Sequence, residues 1–263
     1  MPAELSPLAQ LVRRHDPDRF FCTLFAPPAK REALFTLYAF NHELARAREV
    51  ASEPVLAMIR LQWWREVVEG TRKRHEVASP LSDAIAQGLF LPDDLLAMID
   101  GREREADASI ADLASWHAYL SSTAGTLAVA AGRLLGGQGP QLDRLRALGT
   151  GYGMAGQLRS VGVLARAGRC QLPEDALAGQ GLTVHDVIAH RAPDQLLIVL
   201  RNLASHATAT LRASAGRLPA PLQAAALPSV LARRDLRRIG APVTPRGLGD
   251  RLAVVCAAGL RRF

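Results

Sequence analysis

Apolar residues recur at three- and four-residue steps along most of the chain, which is the spacing of one face of an α-helix. The clearest stripe, in the segment 31–49, consists of Leu34, Leu37, Tyr38 and Leu44. The same spacing predicts long helices over 113–135 and 142–164, and further helices over 196–211 and 222–236. No alternating β-branched run of useful length interrupts this pattern. The sequence therefore predicts an all-α protein of roughly nine to eleven helices around one core.

Proline and glycine mark where helices begin and end. Pro28 can start the helix that carries the clearest stripe, and Pro80 and Pro92 are expected to open two short helices. The segment 240–249 contains Pro and Gly and is expected to be a flexible approach to a last helix. No linker divides the chain into two units, so residues 1–263 are expected to form a single domain.

Composition narrows the class of protein. The 263 residues are 49% hydrophobic and 22% charged, which is typical of a globular chain and excludes a disordered one. The three cysteines lie far apart, which favours a reducing compartment over a disulfide framework, and no CxxC zinc spacing exists. Charges interrupt every apolar run before the ~18 residues of a membrane span, and the N-terminus lacks the pattern of a secretory signal. These observations predict a cytoplasmic protein.

The chain is basic, with a net charge of +7, and arginine is concentrated near its C-terminus. The eight arginines that follow Val230 are Arg233, Arg234, Arg237, Arg238, Arg246, Arg251, Arg261 and Arg262. Only Asp235 and Asp250 oppose them. This face can meet an anionic membrane surface or a protein partner, and the first of these would place the protein on the inner face of the cytoplasmic membrane. The alternative is a solvated helix face in an arginine-rich chain. No helix-turn-helix, zinc or base-stacking signature accompanies the charge, so we expect no nucleic-acid partner.

Four motifs occur in a definite order along the chain. They are YAFNHE at 38–43, LQWWRE at 61–66, GQLRSVG at 156–162 and GRCQLP at 168–173. In this order and spacing they resemble the squalene/phytoene synthase family, and the resemblance extends from about Phe21 to about residue 240. It implies an all-α isoprenoid-synthase bundle around a central cavity.

The resemblance also implies where catalytic carboxylates would stand. Active members join two prenyl diphosphates head to head, and Mg²⁺ held by two aspartate-rich motifs neutralises the departing diphosphate. The positions of the first motif read Ala45, Arg46 and Glu49 in this chain, and those of the second read Ser160 and Leu164. Only Glu49 keeps a carboxylate. We therefore expect neither Mg²⁺ nor another cofactor, and no prenyl transfer.

One subgroup of the family is more similar still. The string AFNHELA at 39–45 and the tryptophan motif MxxLQWW at 58–64 resemble the mitochondrial complex I assembly factors of this family and their α-proteobacterial relatives. That subgroup also replaces the aspartates. The resemblance implies an accessory or assembly factor for respiratory complex I, whose partners are complex I subunits or assembly intermediates.

The chain also offers groups that can bind phosphate without a metal. They are Arg46, Gln157, Arg159, Arg166 and Arg169. If the family topology holds, several of these arginines face one end of the cavity, where a guanidinium can bind the phosphate of a prenyl compound or a phospholipid. The alternative is that the arginines pair with local carboxylates such as Glu43 and Glu49.

A second function stays open from the sequence. The chain could be an active prenyl transferase of the same family with an altered diphosphate site. In that case Mg²⁺ would be required, and Arg46, Glu49, Arg159 and Arg169 would bind the substrate. Release of pyrophosphate from farnesyl or geranylgeranyl diphosphate separates the two functions.

Overall fold

The helical character of the chain is confirmed by a computed structural model. The structure describes residues 4–51, 53–106, 109–261 and 263. These residues contain no β-strand, and their one β-type contact is an isolated parallel bridge between Ile110 and Pro173. Within the same residues, no helix is both long enough and apolar enough to cross a membrane.

The bounds of the α-helices define the bundle. In the described residues they are α1 (Pro7–His15), α2 (Pro17–Thr23), α3 (Pro28–Glu49), α4 (Pro54–Val68), α5 (Ala78–Ala86), α6 (Pro92–Glu103), α7 (Leu113–Leu120), α8 (Thr126–Leu134), α9 (Pro140–Arg166), α10 (Glu174–Ala178), α11 (Val184–Ile188), α12 (Pro193–Ala213), α13 (Gln223–Ala226), α14 (Pro228–Leu236) and α15 (Leu248–Leu260). Their number exceeds the prediction because several are single turns, which are too short to show a periodic stripe.

Proline positions explain several of the helix bounds. Pro28 and Pro92 occupy the first positions of α3 and α6, as predicted, because this position needs no hydrogen-bonded N–H. Helix α5 begins at Ala78, so the prediction that Pro80 is its first residue was wrong, and Pro80 lies in its first turn. The prediction of one continuous helix over 222–236 was also wrong. The segment is divided at Pro228, which begins α14.

Helix α9 is the central element and packs against α8, α12 and α14. Its glycines allow the closest of these approaches. A Cβ at Gly149 would lie 2.5 Å from the Ala124 carbonyl oxygen and 2.6 Å from the Ala128 Cβ. Helices α7 and α8 are joined by a π-helical turn, Ser121–Gly125, so the predicted helix over 113–135 is continuous but locally wider than an α-helix. The end of α3, the turn after α6 and helix α7 meet the segment that follows α9.

Candidate functional site

A cavity of about 490 Å³ lies where the end of α3, the turn after α6, helix α7 and the segment after α9 meet. We call it the polar cavity. Its polar lining includes Arg48, Arg104, Glu105, Tyr119, Arg169 and Gln171. Its apolar lining includes Pro54, Ile110, Val184 and Ile188. The two kinds of lining fit a ligand with a charged group and an apolar part.

Glu105 is the acidic centre of the polar cavity. Its side chain is only 5% exposed, and its carboxylate accepts hydrogen bonds from the Tyr119 hydroxyl at 2.6 Å and from Arg102 Nη1 at 2.5 Å. Arg169 Nη2 lies 3.7 Å from the other carboxylate oxygen. Burial raises the pKa of Tyr119, and the negative charge of Glu105 raises it further. The phenol therefore stays a hydrogen-bond donor, and Glu105 is fully engaged by its neighbours.

The lining of the polar cavity has more positive than negative charge. Arg48, Arg104 and Arg169 all line it, whereas Glu105 is the one carboxylate among the described lining residues. Arg48 donates through Nη1 to the Ala51 carbonyl at 3.2 Å, and its buried Nε has no partner among the residues that the structure describes. A buried donor without a partner is costly. The cavity is therefore suited to an anionic group that supplies acceptors.

A line of amide groups connects the core to the polar cavity. Trp116 donates its indole N–H to Gln157 Oε1, and Gln157 Nε2 donates to Gln171 Oε1 at 2.9 Å. Gln157 itself is buried, and Gln171 lies in the cavity wall. Gln157 thus contacts the cavity only through Gln171.

The arginines singled out from the sequence do not form one set. Arg169 lines the polar cavity, whereas Arg159 lies 3.2 Å from Asp235 and lines a separate cavity of about 420 Å³ between α9, α12 and α14. Arg166 is exposed at the end of α9. Arg46 is exposed as well, and its Nη1 lies 3.2 Å from Glu43. The prediction that these residues gather at one end of a cavity is therefore wrong for Arg46, Arg159 and Arg166, which lie elsewhere on α3 and α9. Arg169 lines the polar cavity, and Gln157 lies behind its wall.

The positions that the family resemblance assigns to metal ligands do not fit Mg²⁺. Ala45 and Leu164 have no oxygen donor in their side chains, and Arg46 brings a positive charge. The Ser160 hydroxyl donates to the Gly156 carbonyl at 2.9 Å, and Glu49 is exposed at the last residue of α3. Mg²⁺ requires near-octahedral oxygen ligation, usually with carboxylates. One carboxylate across both motifs does not provide such a set.

A second group of charges connects distant parts of the chain, and we call it the C-terminal ion network. Arg246 lies 2.6 Å from Asp18 and 2.5 Å from Asp235, and Asp235 also pairs with Arg159. Tyr152 donates its hydroxyl to Asp18 at 3.3 Å. Burial opposes the charge on Arg246, but its bonds to the two carboxylates raise its pKa above the usual value. This network holds the segment before α15 against α2, α9 and α14.

The helical bundle has the fold of the solved squalene/phytoene synthase structures. The structure superposes on a dehydrosqualene synthase with a TM-score of 0.77 at 16% identity, over 96% of this chain and 94% of the other. A sequence model of the squalene/phytoene synthase family matches residues 12–246. The chain therefore belongs to the squalene/phytoene synthase family, and the resemblance inferred from its motifs is confirmed.

Two curated relatives have the same name, NADH dehydrogenase (ubiquinone) complex I, assembly factor 6. The Rattus norvegicus protein is 26% identical over 239 residues, which cover 88% of this chain and 72% of the relative. The Homo sapiens protein is 24% identical over 204 residues, which cover 75% of this chain and 61% of the relative. The chain thus spans less than two thirds of the human relative's length.

Sequence reasoning missed Glu105 and its partner Arg102. The stretch Arg102-Glu103-Arg104-Glu105 alternates in charge, as a solvated helix end does. Two of its members do behave that way, because Arg104 is exposed and Glu103 pairs with Arg65 at 2.7 Å. The one available signal was the i, i+3 spacing of Arg102 and Glu105, which favours an ion pair between them.

Proposed function

We propose that this protein is an assembly factor for respiratory complex I that does not catalyse prenyl transfer. The observation that carries the proposal is the similarity to complex I assembly factor 6 over most of the chain, including 239 residues shared with the rat protein. Membership of the squalene/phytoene synthase family is compatible with this role, since one fold can host unrelated functions. The partners are complex I subunits or assembly intermediates.

The lack of catalysis is supported by the donor set. An active site of this chemistry must neutralise a departing diphosphate, and Glu49 is the one carboxylate among the five motif positions. Arg46 cannot take the place of a metal ligand, and it points its charge towards Glu43. The protein is proposed to need no metal or other cofactor.

The polar cavity is proposed to hold a phosphate-bearing prenyl compound or phospholipid as a ligand rather than a substrate. Arg48, Arg104 and Arg169 outnumber Glu105 there, and guanidinium groups bind phosphate oxygens directly. Pro54 and Ile110 offer apolar contacts to the rest of such a molecule. The location proposed for the protein is the cytoplasm, peripherally on the inner face of the cytoplasmic membrane, in line with its net charge of +7.

Deletion of the gene tests the assembly role. We expect less fully assembled complex I on native gels and lower NADH-dependent oxidase activity in membranes. Succinate-dependent oxidase activity in the same membranes is the control, because it bypasses complex I. Wild-type levels of assembled complex I in the deletion strain would refute the assembly role.

An assay with purified protein tests the absence of catalysis. Farnesyl or geranylgeranyl diphosphate with Mg²⁺ should give no pyrophosphate above a no-protein control. A sustained release would instead support the active prenyl transferase, with Arg46, Glu49, Arg159 and Arg169 as substrate-binding residues. In that case, loss of release in Glu49→Gln would show that the remaining carboxylate takes part.

A further inference from the structure

The last helix, α15, has an outer face that is apolar. Asp250, Val254 and Ala258 are buried against the bundle, where α15 packs on α14. The opposite face exposes large apolar side chains at helical spacing, and the exposed fractions are Leu248 78%, Leu252 60%, Val255 46% and Leu260 65%. We call these four residues the α15 stripe. A solvated helix face carries mainly polar residues, so this row of exposed apolar side chains calls for a partner.

The acidic side chains near the α15 stripe are buried and paired with arginines. Asp250 is 2% exposed and pairs with Arg234 at 2.5 Å and with Arg238 at 3.1 Å. Burial alone would raise the pKa of Asp250, but the hydrogen bonds from these two arginines lower it to about 2. Asp235 is likewise enclosed, within the C-terminal ion network. Neither acidic residue of this region therefore presents its charge to the outside.

Two arginines of the last helix remain available. Arg251, within α15, and Arg261, at its C-terminal cap, are exposed and make no ion pair within the part of the chain that the structure describes; Arg262 lies outside those residues. Arg251 also lines a cavity of about 350 Å³ together with Arg13 and Phe21, beneath the start of α15. The basic rim thus extends from α15 to the end of α1.

We propose that the α15 stripe and its arginines dock the protein onto an anionic lipid bilayer, which deepens the peripheral location included in the proposed function. Apolar side chains on one helix face enter the interface, and arginines at its edge bind phosphate headgroups. Charge complementarity favours this occupant over a second copy of the chain. The described part of α15 exposes arginine but no acidic side chain, so a pair of α15 helices from two copies would bring like charges near each other without acidic partners.

Vesicle binding by the full-length chain tests the proposal. Sedimentation with vesicles of phosphatidylcholine mixed with phosphatidylglycerol should recover the protein, and vesicles of phosphatidylcholine alone should recover much less. The double variant Leu252→Ser, Val255→Ser should bind about tenfold more weakly, because two exposed side chains no longer enter the interface. Its circular dichroism and melting temperature verify that it folds.

A matched variant and a charge variant complete the test. Val55→Ser, Ile59→Ser removes two side chains on α4 that are 56% and 61% exposed and should leave binding unchanged. Arg251→Gln with Arg261→Gln should weaken binding to the anionic vesicles, as should an increase from about 0.1 M to about 0.5 M salt. Equal binding by the α15 variant and the unmodified chain would overturn the proposal. So would a chain that ignores vesicles but dimerises through α15, as judged by light scattering. Neither result depends on complex I, so the assembly role stands or falls separately.

Discussion

The C-terminal ion network and the polar cavity both contain arginines and carboxylates, but they differ in the ratio of positive to negative side chains. In the network, Arg159 and Arg246 pair with Asp18 and Asp235. Both carboxylate oxygens of each aspartate contact a guanidinium group. Among the described residues that line the polar cavity, three are arginines and Glu105 is the one carboxylate. A balanced set of charges can be closed off from water, whereas an unbalanced one needs an outside partner. The comparison supports a structural role for the first and motivates the proposal that the second holds a ligand.

The largest expected effect follows from breaking the balanced set. Arg246→Met leaves Asp18 and Asp235 buried with fewer partners, so the free energy of unfolding should fall by about 3–5 kcal/mol. Denaturant unfolding measures it. The control Arg237→Met removes an exposed arginine and should change stability by less than about 0.5 kcal/mol. Equal effects of both variants would show that the network is not structural.

Neutralising Glu105 in the polar cavity should have a smaller effect on stability than the loss of Arg246, and it should also change ligand binding. Glu105→Gln weakens the hydrogen bonds from Tyr119 and Arg102, so stability should fall by about 1–3 kcal/mol. The cavity also becomes more positive, so binding of farnesyl diphosphate without Mg²⁺, followed by calorimetry, should tighten. Glu103→Gln is the matched control, because Glu103 pairs with Arg65 rather than with a residue of the cavity lining. Unchanged or weaker binding in Glu105→Gln would contradict the excess-charge interpretation.

Removing one cation from the unbalanced set should affect binding more than stability. Arg169 contacts Glu105 only at 3.7 Å, so Arg169→Gln should cost about 1 kcal/mol or less in stability. The same variant should bind farnesyl diphosphate about tenfold more weakly in the calorimeter, since one guanidinium–phosphate contact is lost. Arg166→Gln, on the exposed end of α9, should bind like the unmodified chain. A loss of the same size in Arg166→Gln would place the ligand outside the polar cavity.

The smallest expected effect comes from neutral histidines away from both regions. Burial, and the nearby His117, lower the pKa of His206 below its usual value. The unfolded chain therefore takes up a proton at higher pH than the folded chain, and stability should fall as the pH drops below about 6.5. His206→Gln should reduce this decline in melting curves recorded at successive pH values. An unchanged decline would assign it to other groups, such as His42, whose pKa is also lowered by burial.

Local patterns predicted the helices and the family, but not the pairing of charges. The stripe of Leu34, Leu37 and Leu44 was visible because helix periodicity depends on near neighbours. Arg159 pairs with Asp235 across 76 positions, and Arg246 pairs with Asp18 across 228, so no local pattern shows either bond. For the same reason Arg159 was assigned to the wrong cavity.

The amide line from Trp116 to the polar cavity has a direction. An indole N–H can only donate, so the oxygen of Gln157 must face Trp116, and its NH₂ group must then donate towards Gln171. The side-chain oxygen of Gln171 accepts that hydrogen bond, and its NH₂ group is available at the cavity wall. The core thereby fixes a hydrogen-bond donor, rather than an acceptor, at that point. Together with the guanidinium groups of the lining, this donor fits the proposed phosphate-bearing ligand, whose oxygens accept hydrogen bonds.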